Sequence, residues 1–140
     1  MRANRITLVT LGVADLDRSR AFYEALGWEV GGVDEAAIFF DMDGAKLGLY
    51  RRDMLARDLD REPGALGTGA MTLAQNFATD AEVDAAYEAA LAAGATACRP
   101  PETVFWGGYS GTWADPDGHV WEVAMNPYWT LDEGGRLART

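Results

Sequence analysis

The chain of 140 residues holds one cysteine, Cys98, and one histidine, His119. A single Cys excludes an internal disulfide framework, CxxC redox chemistry and thiolate zinc sites. A single His excludes, within one chain, the two-His-one-carboxylate iron site and most catalytic zinc sites. Basic residues are also scarce. Twelve Lys and Arg stand against 22 Asp and Glu, for a formal net charge of −10. Nucleic acid and anionic membranes reward Lys and Arg, so neither is expected as a partner. No apolar run approaches the ~20 residues that a membrane-spanning helix needs. The N-terminus, Met1-Arg2-Ala3-Asn4-Arg5, leads into a strand pattern rather than an apolar signal core, and a cytoplasmic location is expected.

What is present is ordinary globular material, 49% hydrophobic and 24% charged. A chain of this length can bury a core without staples and is expected to form a single domain. An internal repeat organises it. With Leu8 placed over Thr72, Leu8-Val9 falls on Thr72-Leu73, Val13 on Phe77, and Tyr23-Glu24-Ala25 on Tyr87-Glu88-Ala89. With three residues inserted in the second copy, Gly27 falls on Gly94. Further on, Asp41-Met42-Asp43-Gly44 falls on Asp115-Pro116-Asp117-Gly118. Each half therefore reads strand, helix, then several strands closed by a DxDG turn. Module one spans about 5–52, a connector about 53–69, module two about 70–127 and a tail 128–140.

Local signals support this order. Val9, Leu11 and Val13 alternate with Leu8, Thr10 and Gly12 over Ile6 to Val13, the period of a strand. Asp15 or Asp17 caps a helix whose apolar stripe is Leu16, Phe22, Tyr23 and Leu26, and Gly27 ends it. Trp28 to Val33, Ala36 to Asp41 and Ala45 to Tyr50 are strand-like. Met54, Leu55 and Leu59 suit one short helix in the connector. Met71 to Phe77 opens the second half. Thr79-Asp80-Ala81-Glu82 is a capping box, and the helix continues through Val83, Tyr87 and Leu91 to Gly94. Thr96 to Cys98 starts a strand that Pro100-Pro101 interrupts, as at an edge or a loop. Asp115 to Gly118 suits a type I turn with Gly in the left-handed position.

The odd positions are the greasier set: Val9, Leu11 and Val13; Leu47 and Leu49; Trp121 and Val123. These are expected under the helices. The even positions then line the opposite face: Leu8, Thr10, Gly48, Tyr50, Thr72, Ala74, Glu122 and Ala124. With a bulge after the 115–118 turn, Glu122 lies across from Thr112, with Ser110 nearby. That face is a mixture of small, polar and aromatic residues, which suits a pocket with a few placed polar groups; a solvated sheet face is the bland alternative.

Strand, Asp-capped helix and "FYEALGW" at one end, and "ADPDGHVWEV" at the other, resemble the vicinal oxygen chelate superfamily, which includes glyoxalases, bleomycin-resistance proteins and extradiol dioxygenases. The likeness runs from Ile6 to Pro127. It implies an α+β fold of two βαβββ modules, whose curved mixed sheets surround a cavity, often in a homodimer. It also implies a divalent-metal site built from equivalent strand positions. Those positions are Leu8 and Thr72, where the family commonly has His, Gly48, often an acid, and Glu122, where the family has Glu. One ligand of four survives. Leucine and glycine side chains offer no lone pair, Thr72 is a weak neutral donor, and a lone carboxylate cannot hold Zn²⁺ or Ni²⁺ against water. No metal and no other cofactor is expected. Gln75 and His119 fall on the odd side, and His119 reads as a turn residue bonded to the turn backbone.

Glu122 has two readings. It is either a relic hydrogen-bonded to Thr112, Thr72 or Ser110, or a desolvated carboxylate that binds a cationic or donor group or acts as a general base. The aromatics crowd towards the C-terminus. Trp113 and Trp121 follow the odd face as core. Phe105-Trp106-Gly107-Gly108-Tyr109 reads as an exposed loop whose aromatics lean over a cavity or meet a partner subunit. Candidate ligand-binding residues are thus Glu122, Thr72, Tyr50, Ser110, Thr112, Phe105, Trp106 and Tyr109. The expected function is metal-free binding of a small aromatic or cationic molecule by a homodimer. The alternative is a glyoxalase-type lyase or isomerase with Glu122 as base or lone metal ligand. A third possibility is an interaction subunit with a filled pocket.

Overall fold

Two four-stranded mixed sheets of identical topology account for the chain in the computed structural model, which describes residues 4–138. Met1 to Ala3, part of the N-terminus read above, and the last two residues of the expected tail lie outside the described residues. The chain packs as two units, the first ending at Gly67 and the second beginning at Thr68. No helix among the described residues is long and apolar enough to cross a membrane.

Unit one runs β1 (Leu8–Val13), α1 (Leu16–Ala25), β2 (Val30–Val33), β3 (Ala37–Met42), β4 (Ala45–Arg51) and α2 (Arg52–Asp58), with a short 3₁₀ turn at Pro63–Ala65. Its sheet order is β1-β4-β3-β2, with β1 and β4 parallel and the rest antiparallel. Unit two runs β5 (Leu73–Asn76), α3 (Asp80–Ala93), β6 (Thr96–Thr103), β7 (Tyr109–Ala114) and β8 (Val120–Met125). Its order, β5-β8-β7-β6, repeats that of unit one, again with the outer pair β5 and β8 parallel.

Strand register bears on the repeat independently of sequence likeness. Aligning Leu8 with Thr72 carries Thr10 onto Ala74, and aligning Asp41 with Asp115 carries Gly48 onto Glu122. Thr10 pairs with Gly48 in one sheet, and Ala74 pairs with Glu122 in the other. The two glycines that close the aligned DxDG turns, Gly44 and Gly118, have φ of +89° and +90°. This left-handed conformation costs glycine least.

The helices form where capping and apolar spacing direct. Asp15, not Asp17, caps α1, accepting the Arg18 N–H at 3.0 Å. Phe22 and Tyr23 bury its inner face, and Tyr23 stacks on Trp28 with centroids 5.2 Å apart. At α3 the Thr79 hydroxyl accepts the Glu82 N–H at 3.1 Å. The Glu82 carboxylate takes the hydroxyl's own hydrogen rather than reaching back to a backbone N–H. Val83, Tyr87 and Ala90 form the buried stripe of α3, with Leu91 half-buried beside them. Gly94 ends the helix at φ +110°. The 115–118 turn is organised by buried Asp115, whose Oδ1 accepts the N–H groups of Asp117 and His119 at 3.0 and 2.9 Å. An acceptor placed there satisfies two turn donors that the chain reversal would otherwise leave unpaired.

Several boundaries differ from the sequence reading. β1 begins at Leu8 rather than Ile6, and β5 at Leu73 rather than Met71; the preceding residues are exposed and lie before the paired registers, although the Thr7 carbonyl accepts the Lys46 N–H at 2.9 Å. The connector helix begins at Arg52, inside the expected first module. Pro100-Pro101 does not end β6. The strand passes through both prolines as an edge strand, with register shifts between Ala97 and Arg99 and between Arg99 and Glu102. A bulged edge tolerates the missing N–H donors.

Candidate functional site

The even-numbered face of unit one is a cavity of about 330 Å³. Leu8 and Thr10 on β1 and Gly48 and Tyr50 on β4 line it, together with Phe39 on β3, Leu55 and Asp58 on α2, and Asp34 in the β2–β3 connection. The odd positions on the same strands, Leu11, Val13, Leu47 and Leu49, are buried. Phe39 pairs with Gly48 across the ladder. A Cβ on Gly48 would lie 3.2 Å from Phe39 Cε1 and 3.5 Å from Leu8 Cδ1. The Phe39 ring and the Leu8 side chain therefore occupy the space over Gly48 where an acidic side chain would project. The two module-one positions of the family's metal site, Leu8 and Gly48, carry no donor atom on their side chains, and they do not fit a metal ion.

The polar groups of this cavity gather around Tyr50. Asp34 folds its own hairpin: its Oδ1 accepts the N–H groups of Ala36 and Ala37 at 3.0 and 2.9 Å, and its N–H donates to the Ala37 carbonyl at 3.0 Å. Burial pushes the Tyr50 phenol above its ordinary pKa. The charge and hydrogen bonding of Asp58 and the charge of Asp34 add to the rise, and Arg57 opposes it. The phenol therefore stays protonated at neutral pH, a hydrogen-bond donor beside two carboxylates. Asp34 and Asp58 were not among the sequence candidates. Neither lies on a strand, so alternation of faces could not have found them.

In unit two the sheet places Ala74, Glu122, Thr112 and Arg99 in one row across β5, β8, β7 and β6. The neighbouring row on that face holds Asn76, Ala124, Ser110 and Glu102. The pairing of Glu122 with Thr112 is the one that a bulged turn demands. Glu122 is half-buried, and no described residue gives it a hydrogen bond or ion pair. Ser110, 1% exposed, is engaged elsewhere: Arg99 Nη2 donates to its Oγ at 2.8 Å and Nη1 to its carbonyl at 2.7 Å. Thr72 is exposed and directly precedes β5. Sequence reading missed Arg99 because the two prolines after it hide the register of β6. One signal was available: Arg99 is the one basic residue between Arg61 and Arg136.

The aromatic loop divides. Phe105 stands fully exposed at 102%, and Trp106 is 37% exposed. The Trp106 indole lies against Gly108, where a Cβ would come within 2.0 Å of its ring, and Gly107 turns the chain at φ +99°. Tyr109 does not share the Glu122 face. It begins β7 on the helix side, and its hydroxyl donates to Asp84 Oδ1 on α3 at 2.7 Å. That hydrogen bond, with burial and the charges of Asp84 and Asp80, raises the Tyr109 pKa. Strand alternation at an odd position accounts for the difference from the loop placement expected above. Unit two thus brings Glu122, Thr112 and Ser110 together on one face, while Tyr50 belongs to unit one. His119 is half-buried in its turn, its N–H on Asp115 Oδ1 and its carbonyl accepting the Asp115 N–H at 2.9 Å. Among the described residues no group of three or more His, Cys, Asp or Glu could hold a metal ion.

Comparison with known proteins agrees with this architecture. The sequence profile of the Glyoxalase/Bleomycin resistance protein/Dioxygenase superfamily matches residues 5–123. A glyoxalase-related enzyme from Fulvimarina pelagi is similar at 34% identity, with 99% of each chain covered and a TM-score of 0.89. Lactoylglutathione lyase from Agrobacterium tumefaciens is similar at 26% identity, with 94% of this chain and all of that chain covered and a TM-score of 0.72. A glyoxalase/bleomycin resistance protein/dioxygenase family enzyme from Burkholderia phytofirmans, at 20% identity, shares the fold over 85% of this chain and 96% of its own, with a TM-score of 0.75. No curated protein matches the chain. The repeated βαβββ topology, the equivalent strand registers and the profile match lead to one assignment: the chain belongs to the Glyoxalase/Bleomycin resistance protein/Dioxygenase superfamily.

Proposed function

We propose that this protein binds a small organic molecule, aromatic or cationic, without a bound metal. The unit-one cavity carries the reading. Its volume of about 330 Å³ suits a small ligand, its walls include Leu8, Phe39 and Leu55, and its polar end holds Tyr50, Asp34 and Asp58. Two carboxylates in a largely apolar cavity favour an ammonium or guanidinium group, and an aromatic face adds attraction for the same charge. Glu122 offers the corresponding carboxylate on the unit-two face. A thermal-shift screen of cationic aromatic molecules, run with a chelator present, tests the reading. Hits are expected to lose about tenfold or more in affinity in Asp58→Asn, equivalent to ~1.4 kcal/mol. Protection that is indifferent to Asp58→Asn and Tyr50→Phe would remove the cavity from the site.

A second reading is a glyoxalase-type lyase or isomerase with Glu122 as general base. Its support is the half-buried carboxylate that no described residue satisfies, together with the likeness to a lactoylglutathione lyase. Turnover abolished by Glu122→Gln, with ligand binding kept, would favour the enzyme. Absence of turnover on any ligand that binds leaves the binder.

We further propose a homodimer in the cytoplasm. Phe105, Tyr128 and Trp129 are exposed large aromatics within one unit, and a partner surface would cover them. The exposed free thiol of Cys98 suits a reducing compartment. Sedimentation is expected to give twice the chain mass of 15.2 kDa, and a species of 15.2 kDa would end the dimer.

A further inference from the structure

We propose that Arg99 is the anchor for a carboxylate on the molecule that meets Glu122, so that the ligand of the unit-two face is a small acid with a cationic or hydrogen-bond-donating far end. The inference rests on reading the Glu122 face as a binding face. A guanidinium presents two forks, an end-on pair from Nη1 and Nη2 and a side-on pair from Nε and Nη2. Ser110 takes the end-on fork with its carbonyl and hydroxyl, and Glu102 Oε1 also accepts from Nη1 at 3.4 Å, a partly exposed ion pair. No described residue accepts from Nε–H or from the second Nη2 hydrogen. The side-on fork that remains can match a planar carboxylate bidentately.

Two features make this fork a recognition element as well as a brace for Ser110. The clamp is built on a buried residue, so the guanidinium is held in one orientation before a ligand arrives. The row is also amphoteric. Arg99 and Glu122 share one face with only Thr112 between them, two strand spacings or roughly 10 Å apart along the row. A molecule lying on that row meets a donor fork at one end, a hydroxyl in the middle and an unsatisfied carboxylate at the other.

Heteronuclear NMR on the wild-type protein tests the proposal without a variant that could unsettle Ser110. The probe is para-aminomethylbenzoate, with its primary amide as control. Expected are saturable shifts of the Arg99 side-chain Nε–H and of the Glu122 backbone amide, with the neutral amide about tenfold weaker or worse. Movement at Glu122 with none at Arg99 Nε–H overturns the anchor and leaves the face as a binding surface. No movement at either overturns the anchor and the face together. Equal binding of acid and amide also overturns the anchor.

Discussion

Trp113→Ala is expected to cost unit two about 3–5 kcal/mol, the usual range for removing a large aromatic from a core. Trp113 is 1% exposed and is the cross-strand partner of Trp121, on which it stacks at a centroid distance of 5.8 Å and 10° between planes. α3 packs over β7 and β8, so the hole would open under its buried stripe of Val83, Tyr87 and Ala90. A single domain has roughly 5–15 kcal/mol of stability in total, so a loss of this size leaves the fold marginal. Urea denaturation measures it as a fall in midpoint at unchanged slope. A loss under about 1 kcal/mol would mean that this aromatic pair is not the centre of the unit-two core.

The second large effect comes from restoring what the family has at Gly48. Gly48→Glu is expected to destabilise unit one by several kcal/mol and to create no metal site. Its Cβ would already press on the Phe39 ring at 3.2 Å, and overpacking of this kind costs about 1–3 kcal/mol. The carboxylate would then enter a cavity whose walls include Leu8 and Phe39 and which already holds Asp34 and Asp58. An added buried charge without a partner is more expensive still. Differential scanning calorimetry with and without Zn²⁺ or Ni²⁺ measures both parts. A variant as stable as the parent that gains stability from either ion would show that the position still belongs to a metal site.

The same two residues show how far the sequence could be read. Trp113 was assignable to the core because β7 and β8 alternate cleanly around a DPDG turn, and a turn of known geometry sets register on both sides. That turn alone carried Glu122 to its place opposite Thr112. The apolar blockage at Gly48 was half visible. The missing acid is in the sequence, but the Phe39 ring over it comes from a pairing across β3 and β4. Three site residues escaped for local reasons. Asp34 and Asp58 sit in a hairpin connection and at a helix end, where neither the strand nor the helix period applies. Arg99 lies where two prolines shift the ladder, so parity along β6 carries no information about face. Tyr109 was drawn into the aromatic loop by its glycine neighbours, although its odd number put it on the same side as Trp113, where it meets Asp84.

Metal analysis of the purified protein separates the proposed metal-free binding of a small molecule from binding that depends on a metal ion at Glu122. Protein produced in medium supplemented with Ni²⁺, Zn²⁺, Fe²⁺ and Mn²⁺, then dialysed, is expected to carry these ions well below one per chain and to keep its ligand-induced stabilisation in the presence of chelator. One equivalent of any of them, lost in Glu122→Gln together with ligand binding, would rule out metal-free binding and return Glu122 to the role of a metal ligand.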